Sequence, residues 1–85
     1  MEELKQQEKQ IVDGFSLAMF NKIQTRHNRF VPLGWKTMDS KRLLQLLAHE
    51  LSELKEAHEE GDADKIRDEA IDVANYAMFI YEQTK

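Results

Sequence analysis

From Asp39 to Lys85 the chain contains no proline and a single glycine, Gly61. Glycine and proline are the residues that most readily interrupt regular structure, so punctuation this sparse points to long helices. Gly61 also opens the only connection available between two such segments, the "GDA" of residues 61 to 63. A link of that length sets the flanking helices side by side and antiparallel. Asp39 or Ser40 supplies a side-chain acceptor for the first-turn amides of the upstream helix, and Gly61 suits a left-handed stop. The downstream helix then begins near Asp62 and runs almost to the end.

Upstream of this pair, residues 2 to 27 place Leu4, Ile11, Phe15, Ala18, Met19 and Ile23 at helical spacing, with Gly14 a tolerated weakness inside. The stretch "NRFVPLGWKTMD", residues 28 to 39, is irregular and rich in large apolar side chains. Loops of about a dozen residues are often lids or binding loops. Strand-like alternation is absent. The expectation is an all-α fold, one domain over residues 1–85, in which three helices form a bundle completed by dimerisation.

Size makes that completion necessary. A chain of 85 residues buries only about 60% of the surface it exposes when unfolded. No cysteine is present to add a disulfide, so a metal or self-association is the expected supplement. The net charge of −4 comes without any basic cluster of the kind that releases counterions from nucleic acid, which argues against a nucleic-acid polymer or an anionic membrane as partner. The polar, acidic start "MEELKQQEKQ" lacks the features of a signal peptide, and no apolar run reaches the ~18 residues of a membrane span. A cytoplasmic protein is expected.

Against this background the placement of the acids is unusual. At about 100° per residue, Glu50 falls at the middle of an arc formed by Leu43, Leu46, Leu47, Leu54 and Ala57, with Glu53 about 60° to one side. The third helix repeats the device, with Ile66, Val73, Tyr76 and Ile80 around Glu69 and with Asp72 about 60° away. Packed antiparallel, the helices aim four carboxylates at one interior. Unpaired, each would cost several kcal/mol to bury, and their mutual repulsion would force some to hold protons. Divalent cations relieve that cost. Oxygen-only donors favour Mg²⁺, with Mn²⁺ as the alternative, over structural zinc. A di-iron bundle requires Glu-x-x-His pairs, and neither Glu50 nor Glu69 has histidine three residues on.

Glu50-x-x-Glu53 followed by Glu69-x-x-Asp72, in the wording "ELSELKEA" and "DEAIDVANYAMFI", resembles the signature of the MazG-like all-α nucleoside triphosphate pyrophosphohydrolases. The likeness covers about residues 35 to 81 and is closest to the small, single-domain type. It implies Mg²⁺ on Glu50, Glu53, Glu69 and Asp72, and hydrolysis of a nucleoside triphosphate between its α- and β-phosphates to the monophosphate and pyrophosphate. Related branches include dimeric enzymes, and the small core of this chain leads to the expectation of a homodimer or homotetramer. His49 stands where many relatives carry a further acid.

The chemistry suits such a site, because divalent ions neutralise and orient a triphosphate and acidify the attacking water. Glu50, at the centre of the apolar arc, is expected as the base, ahead of Glu53. Lys36, Lys65 and Arg67 are candidates for the outer phosphates, with ordinary solvated charge as the competing reading. Trp35 is placed either to stack on a base or to anchor the loop to the core. Asn75 and Tyr76 follow Asp72 by three and four residues, and the resemblance implies a nucleoside contact for the tyrosine. Apolar positions at Ile71 and Met78, opposite Glu69, call for a second buried surface, which self-association would supply. The competing function is a non-catalytic helical interaction module whose acids pair with a basic partner.

Overall fold

The computed structural model describes residues 1–27 and 33–85. It consists of helix α1 (Glu2–Lys22), continued by a π-helical turn (Ile23–His27), then a short 3-10 turn (Gly34–Thr37), α2 (Ser40–Glu60) and α3 (Ala63–Gln83). No strand occurs among the described residues, and no helix among them is long and apolar enough to cross a membrane. The fold is an all-α helical bundle. Of the irregular segment at 28 to 39, residues 28 to 32 lie outside the described residues.

Local chemistry sets the helix ends. The Asp39 carboxylate accepts from the Lys41 amide at 3.0 Å, satisfying a first-turn donor that has no partner within the helix. At the other end Gly61 adopts φ 72°, a left-handed conformation that costs glycine little, and its amide donates to the Ala57 and His58 carbonyls. Asp62 then caps α3 by accepting from the Lys65 amide. Helix stop and helix start therefore follow one another directly, and α2 and α3 pack along each other as the short link requires.

The core is formed by Ile23, Trp35, Leu43, Tyr76 and Phe79, with Leu46, Leu47, Met78 and Ile80 packed against it. Trp35 stacks on Phe79 with centroids 4.4 Å apart and planes 13° from parallel. Tyr76 meets the same ring edge-on at 5.7 Å. Gln83, on the last turn of α3, donates to the carbonyls of Trp35 and Met38, tying down the segment that leads into α2.

Two sequence expectations shift here. The buried face of α3 runs along Asp72, Asn75, Tyr76 and Phe79, so its centre is at Asp72 rather than Glu69. The cause is that α1 packs against α3 as well, and the buried arc lies between its two neighbours. Met78, expected to await a second copy, instead shares a groove with Ser16, Met19, Phe20 and Ile23 of the same chain. The start of α1 remains uncovered, with residues 1–17 exposed throughout.

Candidate metal centre

Glu50 on α2 and Glu69 and Asp72 on α3 each offer a carboxylate oxygen within 4.8 Å of the others. Glu50 and Asp72 are almost wholly enclosed, at 5% and 1% exposure. Three acids gather because each sits on the apolar stripe of its helix, and the antiparallel packing that buries the stripes brings the acids with them.

Their repulsion is met by two cations from the end of α1 and the π turn that follows it. Arg26 donates from Nη1 to Asp72 Oδ2 at 2.7 Å and from Nη2 to Glu50 Oε1 at 3.2 Å, so one guanidinium bridges α2 and α3. Lys22 Nζ donates to Asp68 Oδ1 at 2.7 Å and lies 2.9 Å from Asp72 Oδ1, the latter an ion pair outside hydrogen-bond angles. Burial works against both cations, but Asp68 and Asp72 at Lys22, and Asp72 and Glu50 at Arg26, outweigh it and raise both pKa values.

Glu69 is the carboxyl left over. Burial, then a hydrogen bond shared with Glu50 and the charges of Glu50 and Asp72, push it up to about 7, with Lys22 opposing. Its Oε2 is shut off from solvent without a hydrogen-bond partner. Crowded carboxylates, one holding a proton near neutrality and one oxygen unpaired, are the donor set that a hard divalent cation satisfies. The residues present fit such an ion.

Glu53, the fourth expected ligand, stands apart from the trio. Its side chain is 42% exposed and lies 3.4 Å from His49 Nε2, because its 60° offset from Glu50 carries it to the rim of the helix pair. It still shares a cavity of about 260 Å³ with Glu69, Asp68 and Lys65. Lys65 pairs with Glu60 at 3.4 Å on that cavity's wall, whereas Arg67 points to solvent beside Asp64. Lys36 is exposed and lines a different cavity, with Ser40, Ile80 and Gln83.

The aromatic candidates are interior. Trp35, 9% exposed, spends one ring face on Phe79, so the structure favours the anchoring role over the base-stacking one. Tyr76 is 7% exposed, and its pKa is raised by burial, with Arg26 opposing and Glu50 and Asp72 contributing, which places its hydroxyl in the field of the carboxylates. Asn75 is fully buried and donates to the Met19 carbonyl, fastening α1 to α3. Lys22 and Arg26 were not among the candidates drawn from sequence. Their four-residue spacing near the end of an amphipathic helix, with no basic cluster around it, resembles ordinary surface charge.

The fold and site define an all-α helical protein with a largely buried cluster of three acids that could hold a metal ion. No family model matches the chain, and no solved structure matches it. A protein of Archaeoglobus fulgidus, described only as uncharacterized, is 42% identical over 50 residues, covering 59% of this chain and 54% of that one. The chain thus spans about half the length of the curated relative it matches.

Proposed function

We propose that the protein is a cytoplasmic, Mg²⁺-dependent nucleoside triphosphate pyrophosphohydrolase of the MazG-like type, with Mn²⁺ able to replace Mg²⁺. The observation that carries the reading is the meeting of Glu50, Glu69 and Asp72 within 4.8 Å inside the helix pair. Bound there, a divalent ion would supply charge neutralisation for the triphosphate and acidity for the attacking water. Glu50, Glu69 and Asp72 hold it in this reading. The base moves from Glu50 to Glu53, because Glu50 is one of the three acids that hold the ion in this reading, while Glu53 stands beside the trio and is reached by solvent. Lys65, on the wall of the cavity shared by Glu53 and Glu69, attracts an outer phosphate in this reading.

We also propose that the working form is a homodimer. The chain exposes 6549 Å², where a compact chain of 10.0 kDa exposes about 5200 Å². Its radius of gyration is 14.4 Å against about 12 Å for a compact domain of this length. The excess, about 1300 Å² per chain, is more than the ~800 Å² each partner contributes to a standard interface. Apolar side chains are on the surface, with Leu4, Ile11, Val12 and Phe15 exposed along α1 and Leu44 and Leu51 along α2. A concavity of about 770 Å³ beside Ala48, Leu51 and Leu54 offers a second copy's helix a seat.

The non-catalytic module draws on one observation, that Arg26 and Lys22 already pair with the acids. Pyrophosphate release from the common nucleoside triphosphates, with and without Mg²⁺, separates the two. Turnover is expected when Mg²⁺ is present and not in its absence, abolished in Asp72→Ala and lowered about 10²–10⁴-fold in Glu53→Gln as expected for loss of a general base. Turnover unaffected by excess chelator refutes the metal site, and no turnover of any triphosphate leaves the module.

A further inference from the structure

Arg26 and Lys22 take up carboxylate oxygens of two of the three acids that a cation bridging α2 and α3 would draw on. Arg26 reaches Asp72 Oδ2 and Glu50 Oε1, one from each helix, and Lys22 reaches Asp72 Oδ1. Both Asp72 oxygens and one of Glu50 are therefore engaged by positive charge. A divalent ion arriving on those oxygens meets the repulsion of two cations at contact distance, so the two kinds of cation exclude one another. The carboxylates are fixed, with side-chain exposures of 6% at Glu50 and 1% at Asp72, whereas the Arg26 side chain is 45% exposed. Arg26 is not part of the apolar core, so its half-exposed side chain can turn toward solvent without opening that core. It is carried on a π-helical turn, a wider coil that recurs at functional sites.

We propose that Arg26 and Lys22 form a displaceable cationic clamp, which holds Glu50 and Asp72 until a divalent cation takes their oxygens and then presents its charges to a polyphosphate. This rests on the metal-site reading above. The clamp keeps three crowded acids compatible with a folded chain before the ion arrives. Once released, the planar fork of Arg26 matches phosphate oxygens bidentately, and Lys22 adds a point charge. The same residues thus oppose the ion and favour the anion that follows it.

Those opposite signs supply the test. Mn²⁺ binding to the full chain is measured by calorimetry for the unaltered protein, Arg26→Gln and Arg26→Lys, followed by binding of inorganic triphosphate at saturating Mg²⁺. Arg26→Gln is expected to bind Mn²⁺ about tenfold tighter and triphosphate about tenfold more weakly, as removal of one close charge implies. Arg26→Lys keeps the charge but cannot bridge both helices; its expected gain in Mn²⁺ affinity is about threefold, which carries the test if the glutamine variant fails to fold. A purely structural arginine would loosen both ligands together. Mn²⁺ bound equally or more weakly by the variants overturns the clamp and leaves the metal site standing. Mn²⁺ bound by none of the three proteins overturns both.

Discussion

Replacing Trp35 tests whether the indole anchors the chain or serves a ligand. Its side chain is 9% exposed and stacked on Phe79, and a buried tryptophan removes about 150–250 Å² from water. At ~25 cal/mol per Å² that is about 4–6 kcal/mol as an upper bound, and truncations of this kind cost about 3–5 kcal/mol. A chain of 85 residues has only about 4–13 kcal/mol in total. Trp35→Ala should therefore lower the melting temperature by at least about 12 °C, since 1 kcal/mol moves a domain this size by about 4–8 °C. Trp35→Phe should behave differently. It keeps an aromatic ring on Phe79 and removes the indole N–H, which is buried without a hydrogen-bond partner and costs about 1–3 kcal/mol to leave so. That gain offsets part of the lost volume, and the net loss should stay below about 1.5 kcal/mol. The Gln83 bonds go to backbone carbonyls of Trp35 and Met38 and survive both changes. Far-UV circular dichroism is the suitable readout, because Trp35 is the only tryptophan and fluorescence disappears with it. A Trp35→Ala protein melting within about 3 °C of the unaltered one refutes the anchor. A Trp35→Phe protein of normal stability with a KM raised tenfold would instead return the indole to the nucleotide.

Two further outcomes are expected. Glu69 has its pKa pushed up from 4.5 to about 7 by burial, then by Glu50 and Asp72, so its protonated form is the one the fold favours. Its contribution is full below about pH 4.5 and is lost as pH rises through about 7. Metal-free protein should melt several degrees lower at pH 8 than at pH 5.5, an effect tempered by the solvent that reaches part of this group. Thermal melts showing the same slope in Glu69→Gln would remove Glu69 as its source. The exposed apolar side chains of α1 lead to the other expectation, that Ile11→Glu with Phe15→Glu converts a dimer to monomer at micromolar concentration. Light scattering of the unaltered chain giving only a 10.0 kDa species contradicts it.

Helix ends and the acidic stripe were legible from the chain alone because both are local. Asp39, Gly61 and Asp62 act on backbone groups within three or four residues of themselves, so their chemistry does not depend on what packs nearby. Likewise, the 3.6-residue period places Glu50 among leucines whatever those leucines later touch. Once "GDA" ties α2 to α3, the meeting of Glu50, Glu69 and Asp72 follows. Docking of α1 did not follow, since an amphipathic helix announces an apolar face but not the surface that receives it. Arg26 finds partners 24 and 46 residues away, and no local spacing encodes that. The same docking moved the buried centre of α3 from Glu69 to Asp72, because a helix between two neighbours buries the arc that lies between them. It also set Met19, Phe20 and Ile23 of α1 and the π turn beside Met78, whose apolar face had suggested a second copy. Glu53 shows how fine the division is: a 60° offset is one number on a wheel, yet whether it means interior or rim depends on how closely two helices approach, and only the packed tertiary structure decides that.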